Sequence, residues 1–225
     1  MFALFIIIFI ASSGVSWVLK SKFTKYSQTP LKSNLSGKEV AEMMLRDNGI
    51  FDVKVISVDG QLTDHYNPSD KTVNLSNEVF YGRNAAAVAV AAHEVGHAVQ
   101  HSVAYTWLNF RSAMVPMLSV TSRYLSILIL IGILVMETTP LPLMLGVGLF
   151  AFTTVFSFIT LPVEFDASAR GLKFISTKGV VTSSEYALSK DALQWAAMTY
   201  VVAALGSLAT LLYYASLLMG RRGDD

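Results

Sequence analysis

Four long apolar stretches dominate this 225-residue chain. Few soluble architectures can bury that much oil. Phe2 to Leu19 is interrupted only by small residues, Ser and Gly. Tyr124 to Met136 is short but extends back toward Ala113, while Leu143 to Pro162 and Trp195 to Gly220 are long enough unaided. A helix rising about 1.5 Å per residue needs about 20 such residues to cross the roughly 30 Å core of a bilayer. Charged residues make up 15% of the chain, against about 25% in soluble proteins. The sequence therefore predicts four spans, the middle pair forming a hairpin across the short Glu137–Pro142 connection.

Basic residues set the expected topology. The first run has no Lys or Arg before it and exceeds the usual length of a signal-peptide core, so it reads as an uncleaved anchor with its N-terminus outside. Lys20, Lys22 and Lys25 follow it at once. Eleven Lys and Arg lie between Lys20 and Arg123, and four between Glu164 and Lys190. Both segments fall on one side of a four-span chain, and the charge rule makes that side the cytoplasm. Arg221 and Arg222 would then lie outside, a minor conflict. The expected organisation is an anchor over 1–19, an extramembrane domain over 20–112 and a transmembrane hairpin over 113–163. A second extramembrane segment follows over 164–194, then a last span over 195–220 and a tail over 221–225. The net charge of +1 provides no basic field for nucleic acid, so no such partner is expected.

The extramembrane domain should be mixed α and β. Ser36 and Glu39 have capping-box spacing, which predicts a helix carrying Val40, Met43 and Met44 and ending at Gly49. Phe51 to Val58 largely alternates and is rich in Val, hence a strand. Asp59-Gly60 predicts a turn into a return strand, Gln61 to Tyr66. After Asn67-Pro68-Ser69-Asp70, Lys71 to Ser76 alternates as a third strand. The expected sheet is short and antiparallel. The third strand could be an edge that pairs with an extended substrate, although any half-buried strand alternates in the same way. Asn84 should cap a helix from Ala85 to His101.

That helix contains His93-Glu94-Val95-Gly96-His97. Residues four apart share a helix face, so His93 and His97 can reach one metal ion while Glu94 reaches a water on it. The chemistry is that of a zinc hydrolase: zinc acidifies water, and the Glu takes its proton. Histidine pairs on helices can also be satisfied by ordinary hydrogen bonds. Three ionisable groups on a helix otherwise made of Ala and Val are costly to bury, however, unless paired or metallated. The chain has no Cys, so the remaining zinc ligand must be His or carboxylate.

Four residues compete for the third ligand position that a catalytic zinc requires. His101 stands about 12 Å from His93 along the helix axis, too far for one tetrahedral ion. His65 reads as a loop residue or a substrate-side donor. Glu164 and Asp166 follow the third apolar run. Glu164 is preferred, because Pro162 should start a helix with Glu164 in its first turn, where an acid would also suit the helix dipole without any metal.

These residues resemble the YugP-like membrane neutral zinc metallopeptidases of bacteria. The matching stretches are Thr63-Asp64-His65-Tyr66-Asn67-Pro68, Ala85 to Gln100, Leu161 to Ser168, and Ala196 to Val201. The resemblance implies a mainly α membrane protein carrying a small zincin-like α+β domain. It implies one zinc per chain, held by His93, His97 and Glu164 with Glu94 as the catalytic base. In related gluzincin-type peptidases the ligand Glu is followed four residues later by an Asp that supports a ligand His. Here Ser168 fills that position, able to hydrogen-bond but uncharged. Asp166 sits on another helix face. Arg170 either stabilises developing negative charge or faces phospholipid headgroups, the second being preferred.

The expected activity is peptide-bond hydrolysis at the cytoplasmic face of a bacterial cell membrane, on membrane proteins or misfolded segments near the bilayer. A non-cleaving chaperone with the same metal and a metal-free scaffold are the competing classes. The scaffold would carry ionisable residues within its spans, and the second to fourth runs have none between their ends.

Overall fold

The computed structural model describes residues 2–220; Met1 and the predicted tail, 221–225, lie outside the described residues. α1 (Phe2–Ser27) continues well past Leu19, since no Gly or Pro interrupts the chain between Lys20 and Ser27. Its polar last turns are pinned from a distance: Lys22 Nζ and Tyr26 OH each donate to Asp191 Oδ2 at 2.6 Å.

The capping box forms as its spacing requires. In α2 (Gly37–Asp47) the Ser36 side chain accepts from the Glu39 backbone, and the Glu39 carboxylate accepts from Ser36 N. Gly49 then takes the left-handed φ of 70° that closes the helix. Val40, Ala41, Met44 and Leu45 form the buried face.

The sheet corrects the antiparallel expectation. β1 (Lys54–Val58), β2 (His65–Asn67) and β3 (Thr72–Ser76) lie in the order β1-β3-β2. β1 runs parallel to β3, while β2 is antiparallel to it. No β1–β2 hairpin exists, and β3 is the central strand rather than an edge. The reason is burial. Val73 and Leu75 are fully covered, and the strand that packs deepest against the helices takes the position flanked on both sides. Asp59-Gly60 turns the chain but does not pair its flanks; Asp59 is bonded instead by Asn77 Nδ2 at 3.1 Å.

After the short α3 (Asn77–Phe80), Asn84 caps α4 (Ala85–Ser102) by accepting from Ala87 N at 2.9 Å. α5 (Thr106–Leu134), α6 (Leu141–Thr177) and α7 (Ser183–Gly220) follow. With α1 they are the four described helices long and apolar enough to cross a membrane.

Pro162 does not start a helix; it lies inside α6. A proline removes one backbone hydrogen bond, but here the neighbouring turns are held by packing, with Val163 and Ala167 fully buried. At about 1.5 Å per residue, the 37 residues of α6 exceed the hydrophobic thickness of a bilayer by more than 20 Å. One continuous helix therefore carries both the third apolar run and Glu164, and the helix-start rationale for Glu164 does not hold.

α4 crosses α6 at very close range. A Cβ added to Gly96 would meet Ala167 O at 2.5 Å, and one added to Gly171 would meet Ala92 C at 2.9 Å. Glycines on both helices thus let the two backbones nearly touch, as small residues do at tight helix crossings.

Candidate metal centre

The α4–α6 crossing brings together residues 67 to 71 positions apart in sequence. His93 Nε2 lies 3.3 Å from Glu164 Oε2, and His97 Nε2 lies 3.6 Å from the same oxygen. The two imidazoles meet edge to face, with centroids 4.7 Å apart. One donor atom from each of His93, His97 and Glu164 falls within a 4.8 Å cluster, an arrangement able to hold a metal ion. Glu164 is buried, and among the described residues its Oε2 has no hydrogen-bond partner. A buried carboxylate oxygen left this way is costly, and a cation among the three donors would satisfy it. Burial disfavours the His97 imidazolium, yet the carboxylates of Glu164 and Glu94 hold its pKa above the usual histidine value. The site therefore attracts positive charge, and the donor set, two imidazole nitrogens and one carboxylate oxygen, suits zinc.

The far side of each ring is held as a metal ligand requires. His97 Nδ1 lies 3.0 Å from Gln100 Oε1. Gln100 Nε2 donates to Val163 O at 2.7 Å and to Asp166 Oδ2 at 2.9 Å. Both of those partners can only accept, which fixes the amide orientation. Gln100 Oε1 must then accept from His97 Nδ1–H, leaving the Nε2 lone pair free toward the cluster. His93 Nδ1 lies 3.0 Å from Ser168 Oγ. The serine in the position of an aspartate thus still engages the imidazole, without adding charge.

Asp166 reaches the site indirectly, through Gln100, and also accepts from Arg170 Nε at 2.5 Å. Arg170 packs over the Tyr105 ring at 5.7 Å and lines neither cavity at the cluster. His65 begins β2, donates through Nδ1 to Thr63 O at 2.7 Å, and lines the cavity beside the histidines. His101 is not in the cluster; its Nδ1 lies 3.5 Å from Tyr66 OH.

Glu94 is buried and is held by the sheet's open edge, where Tyr66 N donates to its Oε2 at 3.1 Å. Two cavities, of about 340 and 190 Å³, meet at the cluster, and both are lined by His93, Glu94, Glu164, Asp64 and Tyr200. Asp64 accepts from Ser76 N and Ser76 Oγ at 2.8 and 3.2 Å. Burial raises its pKa above the ordinary aspartate value, and Glu94 adds to that rise.

Four contributors have no role in the sequence reading: Asp64, Gln100, Arg111 and Tyr200. Arg111 Nη1 lies 3.8 Å from Glu164 Oε1. Gln100 was within reach of sequence reasoning, since it stands three residues after His97 on the same helix face. Arg111 and Tyr200 lie on α5 and α7, and only the tertiary fold brings them to the cluster.

The chain is 40% identical over 226 residues to the "Putative membrane protease YugP" of Bacillus subtilis (strain 168), covering 99% of this chain and all of that relative. No solved structure matches. The sequence profile of one family matches residues 1–219, almost the whole chain, and with that relative it shows that the protein belongs to the family described as "Putative neutral zinc metallopeptidase".

Proposed function

We propose that the protein is a membrane-embedded, zinc-dependent endopeptidase, with a zincin-like domain in which His93, His97 and Glu164 hold one zinc ion. The observation that carries this reading is the buried, unpartnered Glu164 Oε2 facing two imidazole nitrogens beside Glu94. Zinc bound there supplies Lewis-acid polarisation and makes water acidic near neutral pH. Glu94, oriented by Tyr66 N, takes the proton of the attacking water and passes it to the leaving amine. Arg111 and Tyr200 lie on the cavity wall where negative charge develops on the substrate carbonyl oxygen, and they stabilise it electrostatically. Ser168 and the Gln100–Asp166 pair position the two histidines. His65 lies on the substrate side, and Arg170 serves Asp166.

Cavities on both sides of the cluster favour an endopeptidase, because substrate can extend in both directions from the cleaved bond. The continuity of α6 from its apolar run to Glu164 supports a centre close to the bilayer surface. The distribution of basic residues favours the cytoplasmic side of a bacterial cell membrane. The substrates are accordingly membrane proteins or misfolded segments close to the bilayer.

Glu94→Gln tests the mechanism. The variant should keep one zinc per chain by metal analysis and lose peptide cleavage by about 10²–10⁴-fold, the usual worth of a general base. Cleavage at the wild-type rate would sink the proposal.

A further inference from the structure

We infer that α1 is more than an anchor: together with α7 it builds a mainly apolar pocket that selects the side chain next to the cleaved bond. This inference rests on the peptidase reading and deepens it.

The two cavities at the cluster differ in character. The larger is the more polar, with His65, His101, Arg111 and Ser112 on its wall. The smaller, about 190 Å³, has an apolar wall of Leu19 and Phe23 from α1, Val90 from α4, and Leu193, Ala196 and Ala197 from α7. His93, Glu94 and Glu164 also line it. A side chain entering it therefore belongs to a residue whose backbone lies at the reacting centre.

Size and chemistry define what fits. An apolar cavity of roughly 150 Å³ takes a benzene ring, so about 190 Å³ suits a phenyl or isobutyl group and is tight for an indole. Leu19, Phe23 and Ala196 are only half-buried, so they offer apolar surface for an occupant to cover. Asp64 also lines the pocket, but Ser76 N and Ser76 Oγ already engage its two oxygens. It is poorly placed to select a basic residue. Ser168, Thr199 and Tyr200 are the other polar groups on its wall, too few to replace the water that a polar substrate side chain gives up there.

The α1 wall is held in place independently of any substrate. Lys22 and Tyr26, one turn of α1 beyond Leu19 and Phe23, both bond Asp191 of α7. Leu193 and Ala196 follow Asp191 on α7 by two and five residues. The ion-paired seam between the two helices thus sets the width of the pocket.

The test uses the full-length, zinc-loaded protein in detergent or nanodiscs, with fluorogenic peptides varied at one position beside the cleaved bond. Wild type should favour Phe or Leu over Gly or Asp by at least about tenfold in kcat/KM, as one or a few methylenes in an apolar pocket allow. Ala196→Phe should lower kcat/KM for the Phe peptide by about tenfold or more and leave the Gly peptide within about threefold. Phe23→Ala should extend acceptance to Trp. Zinc content and thermal unfolding identify any misfolded variant, and Ala196→Val then replaces Ala196→Phe with the same expected direction. Folded, zinc-loaded variants that keep the wild-type preference overturn the pocket and leave the peptidase reading standing. So does a wild-type preference for basic residues. A wild-type protein that binds zinc but cleaves none of the peptides overturns both.

Discussion

α4 and α5 are both apolar by sequence, yet their surroundings differ. In α4, 14 of 18 residues are buried; in α5, 4 of 29. Ala, Val and Gly make up most of α4, so neighbouring backbones approach closely from several sides. α5 carries Leu, Ile, Val and Met outward, as with Leu130 at 60% and Leu134 at 74% exposure. Hydropathy says that a segment avoids water; side-chain size says whether protein or lipid replaces the water. Polar groups follow the same division. His93, Glu94, His97 and Gln100 are tolerated on α4 because α6 and β2 supply partners for them.

The sharpest way to break this contrast is to widen the α4–α6 crossing. A side chain at position 96 would collide with the Ala167 carbonyl oxygen at 2.5 Å, and backbone cannot swing aside as a flexible side chain can. Gly96→Val should therefore cost about 3 kcal/mol or more, at the upper end for overpacking. It should also separate Glu164 from the histidines, so zinc per chain falls toward zero by metal analysis. A variant with normal zinc content would show that the close crossing does not assemble the site.

A smaller effect is expected where the helices stay together but a ligand loses its support. Gln100→Leu leaves His97 Nδ1 and Val163 O without the bonds they now make. Loss of such a supporting partner lowers metal affinity by about 10–100-fold, measurable by competition with a chelator. Ser168→Ala removes only one hydroxyl from His93 and should fall at the low end of that range, about tenfold. If Ser168→Ala weakened zinc more than Gln100→Leu, the order of support argued from these bonds would be reversed.

The elements whose cause is local were legible before the fold. Ser36 and Glu39 cap α2, and Asn84 caps α4, because each interaction spans three residues. The pairing of His93 with His97 depends only on helical spacing. Strand order was not legible. Asp59-Gly60 carries a hairpin's residues, but whether two strands pair depends on a third competing for the buried place, and β3 took it. The continuity of α6 through Pro162 was hidden for a similar reason. Proline propensity is local, and the packing of Val163 and Ala167 against α4 is not. Arg111 gave no signal, since an Arg at the start of an apolar run reads equally well as a topology marker, and Tyr200 stood out only as part of the matching stretch Ala196 to Val201.

The smallest expected effect is at Leu130 of α5, and its contrast with a buried leucine of α6 sharpens the same comparison. Leu143 of α6 is fully buried, whereas Leu130 of α5 is 60% exposed. Leu143→Ala should cost about 2–5 kcal/mol, because it leaves a cavity between packed helices. Leu130→Ala should stay within about 0.5 kcal/mol, as surface substitutions do. Lipid tails fill the space of the missing isobutyl group, and no hydrophobic force distinguishes them from leucine. Unfolding in a graded detergent series measures both. Equal costs for the two variants would mean that the outer face of α5 is covered by protein, and the contrast with α4 would then be one of partner rather than of solvent.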